Sequence, residues 1–257
     1  MKLDMHCHTK EGSIDAKVGI KEYIEKLKKL GFDGMLITDH NSYKGYDYWE
    51  NTEKSKDPFV VLKGIEYDTK DAGHIIAVLP EGVYSKLLEL RGMTVMQLEK
   101  VVHKLGGILG PAHPYGNGFF AVMNTKIGKK NKELVQKFDF IEAFNACTKP
   151  FANEKAKALA RNYKKTMFSG SDAHRETVIG TAFTEFFREI NNNDDLIAYV
   201  KGSVEAKLGG EGIWKETNRI REWFGKWGYW IYNKLGAFIR KYSRKKEFHK
   251  FTKQNIF

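Results

Sequence analysis

Six of the eight histidines in this 257-residue chain stand where apolar runs begin or end. They are His6 and His8 in LDMHCHT, His40 in LITDHN, His74 in GHIIAVLP, His113 in GPAHP and His174 in SGSDAH. In a strand, residues i and i+2 point to one side. His6 and His8 therefore project together, with Asp4 one step deeper and Cys7 turned away, and Asp172 and His174 repeat the arrangement. Carboxylates keep the same company: Asp39 ends the apolar run within LITDHN and Glu66 the one within LKGIEYD. A single His-x-His is more often a packed pair than a metal site, but six histidines sorted to run ends are not explained that way. Imidazoles mixed with a few carboxylates suit zinc, manganese or iron, whereas magnesium and calcium sites are oxygen-rich. With Asp15, Glu66 and Asp172 the histidines exceed what one tetrahedral ion needs. They match two or three divalent ions with a carboxylate bridging a pair, an arrangement suited to in-line phosphoryl displacement.

Such donors need a scaffold that brings run ends together. Strand candidates are Lys2–Cys7, Gly34–Asp39, Phe59–Tyr67, His74–Leu79, Gly107–Ala112, Phe140–Asn145, Met167–Ser171 and Ala182–Arg188. Between them Ile20, Tyr23, Ile24, Leu27 and Leu30 recur at helical spacing, as do Leu98, Val101, Val102 and Leu105 behind a capping Thr94. Residues 153–165 read as a third helix opened by Asn153. Alternating strands and helices predict an α/β fold with a mostly parallel sheet, in which the carboxyl ends of strands converge on a site. Residues 114–132 form a long loop after a strand, a common place for a substrate lid.

The motifs HCHT, TDHN, GIE, GHI, AHP and GSDAH, in this order, resemble the PHP (polymerase and histidinol phosphatase) superfamily of metal-dependent phosphoesterases, over about residues 1–205 and including EAFNA and NEKAKALA. The resemblance implies a distorted (β/α)7 TIM-like barrel with a trinuclear site. It assigns His6, His8, Glu66 and Asp172 to a first ion, with Glu66 bridging to a second completed by His74 and His113. Asp15, His40 and His174 would hold a third. The family often reads HTxxSDG, whereas HTKEGSIDA sets Asp15 two residues past Ser13, so the third ion depends on Asp15. In the implied mechanism a hydroxide bridging two metals attacks phosphorus in line. The catalytic set is Asp172, His174 (or a metal-bound water) protonating the leaving group, and Arg175 as a phosphate clamp. Lys63 faces the other side of its strand, and Lys126, Lys129 and Lys130 could attract an anion. Cys7, Cys147 and His103 read as packing residues.

Two cysteines exclude a disulfide framework. The N-terminus MKLDMHCH has no signal-peptide run and no stretch reaches the ~18 apolar residues of a membrane span, so a cytoplasmic protein is expected. The net charge of +11 is uneven. Residues 211–257 hold 12 Lys/Arg and 4 Asp/Glu, a net of +8, and four of the five tryptophans. The expected domains are a PHP-type barrel over 1–210 and a basic, aromatic helical extension over 211–257, with Gly209, Gly210 and Gly212 at the boundary. In the extension Ile220, Phe224, Trp227, Ile231, Leu235, Phe238 and Tyr242 form one helical stripe. The leading expectation is that this stripe packs on the barrel or on a second subunit. Peripheral membrane contact and nucleic-acid contact through residues 214–257 are the alternatives, and residues 243–257 read as disordered. The functional expectation is hydrolysis of a phosphorylated small molecule or nucleotide. A metal-stabilised binding module docking through its tail and an amidohydrolase-type barrel are the other readings.

Overall fold

The computed structural model describes residues 1–54, 58–215 and 219–254, with only the backbone described at 132, 219–226, 229, 233 and 254. Nine strands form among the described residues: β1 Lys2–Cys7, β2 Gly34–Ile37, β3 Val60–Asp68, β4 His74–Val78, β5 Ile108–Pro111, β6 Phe140–Asn145, β7 Thr166–Gly170, β8 Ala182–Glu185 and β9 Lys207–Gly210. The helices are α1 Ile20–Lys29, α2 Lys44–Thr52, α3 Val95–Lys104, α4 Lys126–Lys130, α5 Pro150–Asn162, α6 Asn193–Lys201, α7 Arg219–Ile239 and α8 Lys241–Gln254. Seven strands pair in the order β5-β4-β3-β2-β1-β8-β9, and β6 pairs with β7. The β6–β7 ribbon lies against β5 on one side and β1 on the other, so the sheet curls. A core cluster with Leu3, Met5, Leu36, Leu62, Ile76, Ile108, Phe140 and Phe168 draws on every strand from β1 to β7 and fills the curl.

The expectation of a mostly parallel sheet is corrected. β1–β2, β2–β3 and β6–β7 are parallel, but β3–β4, β4–β5, β1–β8 and β8–β9 are antiparallel. The cause is local at β3–β4. Five residues separate Asp68 from His74, enough for a hairpin and too few for a crossover. Because β4 runs backwards, its first residue, His74, sits opposite Asp68 at the end of β3. A strand start thus reaches the same rim as the strand ends.

α1 buries Ile20, Tyr23 and Leu27 against Phe32, Met35 and Ile37, while Leu30 at its end is exposed. Thr94 caps α3 in a reciprocal box with Gln97. α5 starts at Pro150 rather than Asn153: proline presets the first helical φ, and Asn153 turns inward to accept from the Asn145 N–H at 3.0 Å. Residues 114–132 are not one irregular loop but two short 3-10 turns followed by α4.

Gly209 and Gly210 belong to β9, where a Cβ on Gly209 would lie 2.1 Å from the Phe183 ring, so glycine serves packing there rather than a linker. Past it, Ile213 N–H donates to Ala146 O at 2.8 Å and its side chain joins the core. Residues 243–254 are helical rather than disordered, with Phe248 and Phe251 packed into the core beside α3, while 255–257 lie outside the described residues. The apolar stripe of α7 does not pack on the barrel: Trp227, Ile231, Leu235, Phe238 and Tyr242 are exposed. The opposite face makes the contact, through Tyr232 against the Arg91 guanidinium and through Gly236, whose missing side chain admits Arg91. The side chains of Ile220 and Phe224 lie outside those described. No helix among the described residues is long and apolar enough to cross a membrane.

Candidate metal centre

β1 presents Asp4 and His6 on one face, and His8 follows at its end, all fully buried. Nε2 of His6 and Nε2 of His8 lie 3.0 Å apart. Asp172, just past β7, brings Oδ1 to 3.6 Å from the first and 3.3 Å from the second. An isolated bridge between Cys7 and Ala173 fixes this seam, and Asp172 N–H donates to His6 O at 2.9 Å. A Cβ on Gly170 would meet His6 Cβ at 2.3 Å, so only glycine lets β7 approach so closely.

Glu66 on β3 is the hub. Its Oε1 lies 3.0 Å from His74 Nδ1, 3.2 Å from His113 Nε2 and 3.6 Å from His6 Nε2. Its Oε2 lies 3.1 Å from His40 Nδ1 and 3.4 Å from His8 Nε2. Asp15 completes the outer edge, 3.3 Å from His174 Nε2 and 3.7 Å from His40 Nε2. Bonds of about 2.0–2.2 Å to a four- to six-coordinate ion imply donor–donor edges of roughly 3.0–3.6 Å, and most of these separations fall there. Three donor triads stand out among the described residues: His6, His8 and Asp172; His40, Glu66 and His74; His8, His40 and His174. His40 therefore faces Glu66 and His74 as well as Asp15 and His174, a wider reach than the sequence partition gave it.

Neighbours set the tautomers. A carboxylate only accepts, so Glu142 Oε1 at 2.9 Å from His6 Nδ1 places the neutral ring's proton there and leaves the Nε2 lone pair facing the cluster. Ser13 Oγ donates to Asp39 Oδ1 at 2.8 Å and so receives His8 Nδ1–H at 3.2 Å, with the same result. His174 Nδ1 donates to the carbonyl of Asp172 at 3.0 Å, turning Nε2 toward Asp15. Asn145 Nδ2 donates to both Glu142 oxygens and to Asp172 Oδ2, each at 3.2 Å. Among the described residues, buried His113 Nδ1 has no hydrogen-bond partner.

The backbone is strained where the donors meet. Asn41, His113 and Asp172 have φ of 48°, 31° and 55°, a region that costs non-glycine residues about 1–3 kcal/mol each. For Asn41 the cost is offset by Nδ2 donating to Asp68 Oδ2 at 2.6 Å and Oδ1 accepting from Asp68 N–H at 3.0 Å.

Electrostatics follow from burial of many charges together. Burial would raise the carboxyls of Glu66 and Asp172, but the imidazoles around them prevail and hold both well below the usual range. Burial would lower His40, yet Glu66, Asp68 and Asp15 push it up to about 10. His8, buried beside His174 and His40, drops to about 3 and keeps a free lone pair at neutral pH. Asp4 and Asp39 are pushed up to about 6 by burial despite their hydrogen bonds.

The cluster opens on a cavity of about 600 Å³ walled by Tyr115, Phe120, Phe151 and Trp214, with Lys149 and Lys155 at its margin. All nine histidines and carboxylates expected as ligands come together. Arg175, expected as the phosphate clamp, does not: it is exposed at the start of a short 3-10 turn and does not line the cavity. Lys63 points away to Asp47. Cys7 packs in the core, while Cys147 also lines the cavity. His103 bonds Asp139 at 2.8 Å, far from the centre in role. Sequence reading missed Glu142, Asn145 and Asp68 as site members. A lone charge inside FIEAFN was the available signal for Glu142, since a carboxylate amid an apolar run must find a partner. Replacing Glu142 by alanine is expected to weaken metal affinity by about 10–100-fold, read by competition with a metal-binding dye.

A family model described as PHP-associated matches residues 150–204, from the start of α5 through the end of α6 and just beyond. A DNA polymerase III of the PolC type from Oceanobacillus iheyensis is 28% identical over 138 residues, 49% of this chain and 10% of that one. Together with the six ordered motifs converging on one centre, these matches support membership of the PHP superfamily. The chain spans only a small part, 4–10%, of the polymerases it matches. Its fold is shared with PsfC from Pseudomonas syringae PB-5123 at a TM-score of 0.60 and 15% identity, covering 95% of this chain and 98% of that one. It is shared too with a proposed metal-dependent phosphoesterase from Bifidobacterium adolescentis at 0.53 and 16%, covering 79% and 96%.

Proposed function

We propose that this chain is a metal-dependent hydrolase of phosphate esters, acting on a small phosphomonoester or a nucleotide. The observation that carries the reading is Glu66, one buried carboxylate within 3.0–3.6 Å of five imidazole nitrogens at the floor of an open cavity. We read the ring β1 to β7 as the distorted (β/α)7 barrel and the donor set as a site for two or three ions of zinc, manganese or iron. His6, His8, Glu66 and Asp172 would hold one; Glu66, His74 and His113 a second; Asp15, His40 and His174 a third. Bound there, divalent ions supply an acidified water and positive charge for the phosphoryl oxygens. The chain's own residues do the rest. Lys149 and Lys155 draw the anion to the mouth, and Tyr115, Phe120 and Trp214 limit water around it. Asn145 steadies Asp172, and where only two ions bind and the third position is open, His174, the most exposed of the six imidazoles, carries a proton at Nε2 toward the leaving oxygen. The cavity matches a sugar phosphate or nucleotide in size. The named phosphoesterase with this fold supports the ester class.

The test is bound metal per chain alongside phosphate release from monoesters, nucleotides and diesters, for wild type and His6→Ala. Metal-dependent release from monoesters or nucleotides, lost in His6→Ala, is expected. A wild-type chain that holds its metals yet turns over nothing in the panel makes it a metal-stabilised binding module instead.

A further inference from the structure

The described residues include sixteen large hydrophobic side chains that are exposed, and seven of them, leaving aside Tyr232 on the side held against Arg91, fall between Trp227 and Tyr242. A monomeric soluble surface seldom gathers so much apolar area in one place. On a helical wheel Trp227, Trp230, Ile231, Leu235 and Phe238 share one side of α7, and Tyr242 continues it into α8. The opposite side, with Tyr232 and Gly236, is the one held against Arg91. The exposed face is thus fixed outward by contacts behind it. Leu235 is 56% exposed, Phe238 75% and Tyr242 80%.

Charge says what covers it. From residue 227 to 254 the chain carries eight Lys and Arg and a single acid, Glu247. Lys234 projects beside Trp230, its Nζ 5.7 Å from the ring centre, and exposed Lys241, Lys245 and Lys246 follow on α8. A second copy meeting this face would set these cations against their own kind. A nucleic acid would accept the cations and stack on the tryptophans, but Ile231, Leu235 and Ile239 would gain nothing from base stacking. An anionic bilayer satisfies both: aliphatic and aromatic side chains enter the boundary below the headgroups while lysines stay among the phosphates. No helix among the described residues is long and apolar enough to cross, and an amphipathic helix of this kind suits lying in the plane. We infer that α7 and the start of α8 form an in-plane anchor that docks the chain on an anionic lipid surface.

The docking face borders a cation-lined groove. Arg91, Lys126, Lys234, Lys241 and Lys245 line it, and it ends at His74 of the metal centre. Docking therefore brings one approach to the centre to headgroup level. The anchor does not depend on the hydrolase reading, and a soluble substrate reports each independently.

The test is co-sedimentation of the full, metal-loaded chain with vesicles of phosphatidylcholine alone or with about one third phosphatidylglycerol. Binding to the anionic vesicles only, weakened by salt and accompanied by a blue shift of tryptophan emission, is expected. In Leu235→Glu/Phe238→Glu, partitioning is expected to fall by more than about tenfold, with melting temperature and turnover of a soluble ester unchanged. Three results overturn the anchor: a full chain that stays in solution with anionic vesicles, vesicle binding equal in the double variant, or a dimer in light scattering that the double variant abolishes. Retention on a single-stranded oligonucleotide without vesicle binding would assign the face to nucleic acid.

Discussion

Replacing Glu66 by glutamine is expected to lower ester turnover by roughly a thousandfold and to cost the chain at least one bound ion. The substitution keeps the shape and removes the charge. It also turns one acceptor oxygen into an NH2 group, a donor aimed at nitrogens that need their lone pairs for metal. Because Glu66 stands among His6, His8, His40, His74 and His113, no other single change touches so many donors. In the metal-free chain the same change leaves buried cationic imidazoles without their partner, a loss of about 3–5 kcal/mol for a broken buried pair. Metal content, turnover at saturating metal and thermal melting of the apo form separate these effects. A glutamine variant with full metal and wild-type turnover would reduce Glu66 to a packing carboxylate.

Metal removal should have the second largest effect, and its size should depend on pH. Ions bound about a thousandfold above their dissociation constants contribute about 4 kcal/mol, so chelation is expected to lower Tm by roughly 10 °C in a chain of this size. His40 sets the pH trend in the metal-free chain. Its folded value, about 10, lies above its ordinary 6.5, so its contribution is full below 6.5 and is lost as pH rises toward 10. Burial opposes that protonation, and Glu66, Asp68 and Asp15 sustain it. Metal replaces the proton as the cation those carboxylates face. The gap in Tm between loaded and chelated chain is therefore expected to widen from pH 6.5 to 9.5, and metal uptake at neutral pH to release protons. Melting curves with and without chelator, and calorimetry in buffers of different ionisation enthalpy, check both. A gap that narrows as pH rises would refute the account.

Much of this was legible beforehand because strands carry a two-residue period. The expected limits of β1 and β6 match to the residue and those of β2 to β5, β7 and β8 within three, while β9 has no counterpart among the expected strands. The same-face pair His6/His8 follows from that period, whereas Asp172 and His174 lie past β7, with Asp172 at φ 55°, and meet through a bend. Eight of the nine expected ligands stand out by their place at run ends, and Asp15 enters through the family resemblance. What periodicity does not contain is which strand lies beside which. The reversal of β4, the pairing of β9 with β8 and the inward reach of Glu142 and Asn145 depend on partners far along the chain. Arg175 shows the same limit from the other side: adjacency to His174 in sequence did not bring its side chain to the cavity. From Trp227 to Tyr242 the expected stripe does share one exposed side, but periodicity does not say which side of a helix finds the barrel, and Gly236 favours the other.

The hairpin that brings His74 beside Glu66 has a consequence for how the centre is assembled. Those two residues are eight apart and meet through a local turn, whereas the bond between Asp4 and Ser171 joins residues 167 apart. By loop-closure entropy the long closure costs about 3 kcal/mol more than the short one. Glu66 and His74 can thus meet on a nascent hairpin, whereas the seam between the first strand and Asp172 carries the larger closure cost. An ion that met the hairpin first would wait there for the amino terminus to arrive.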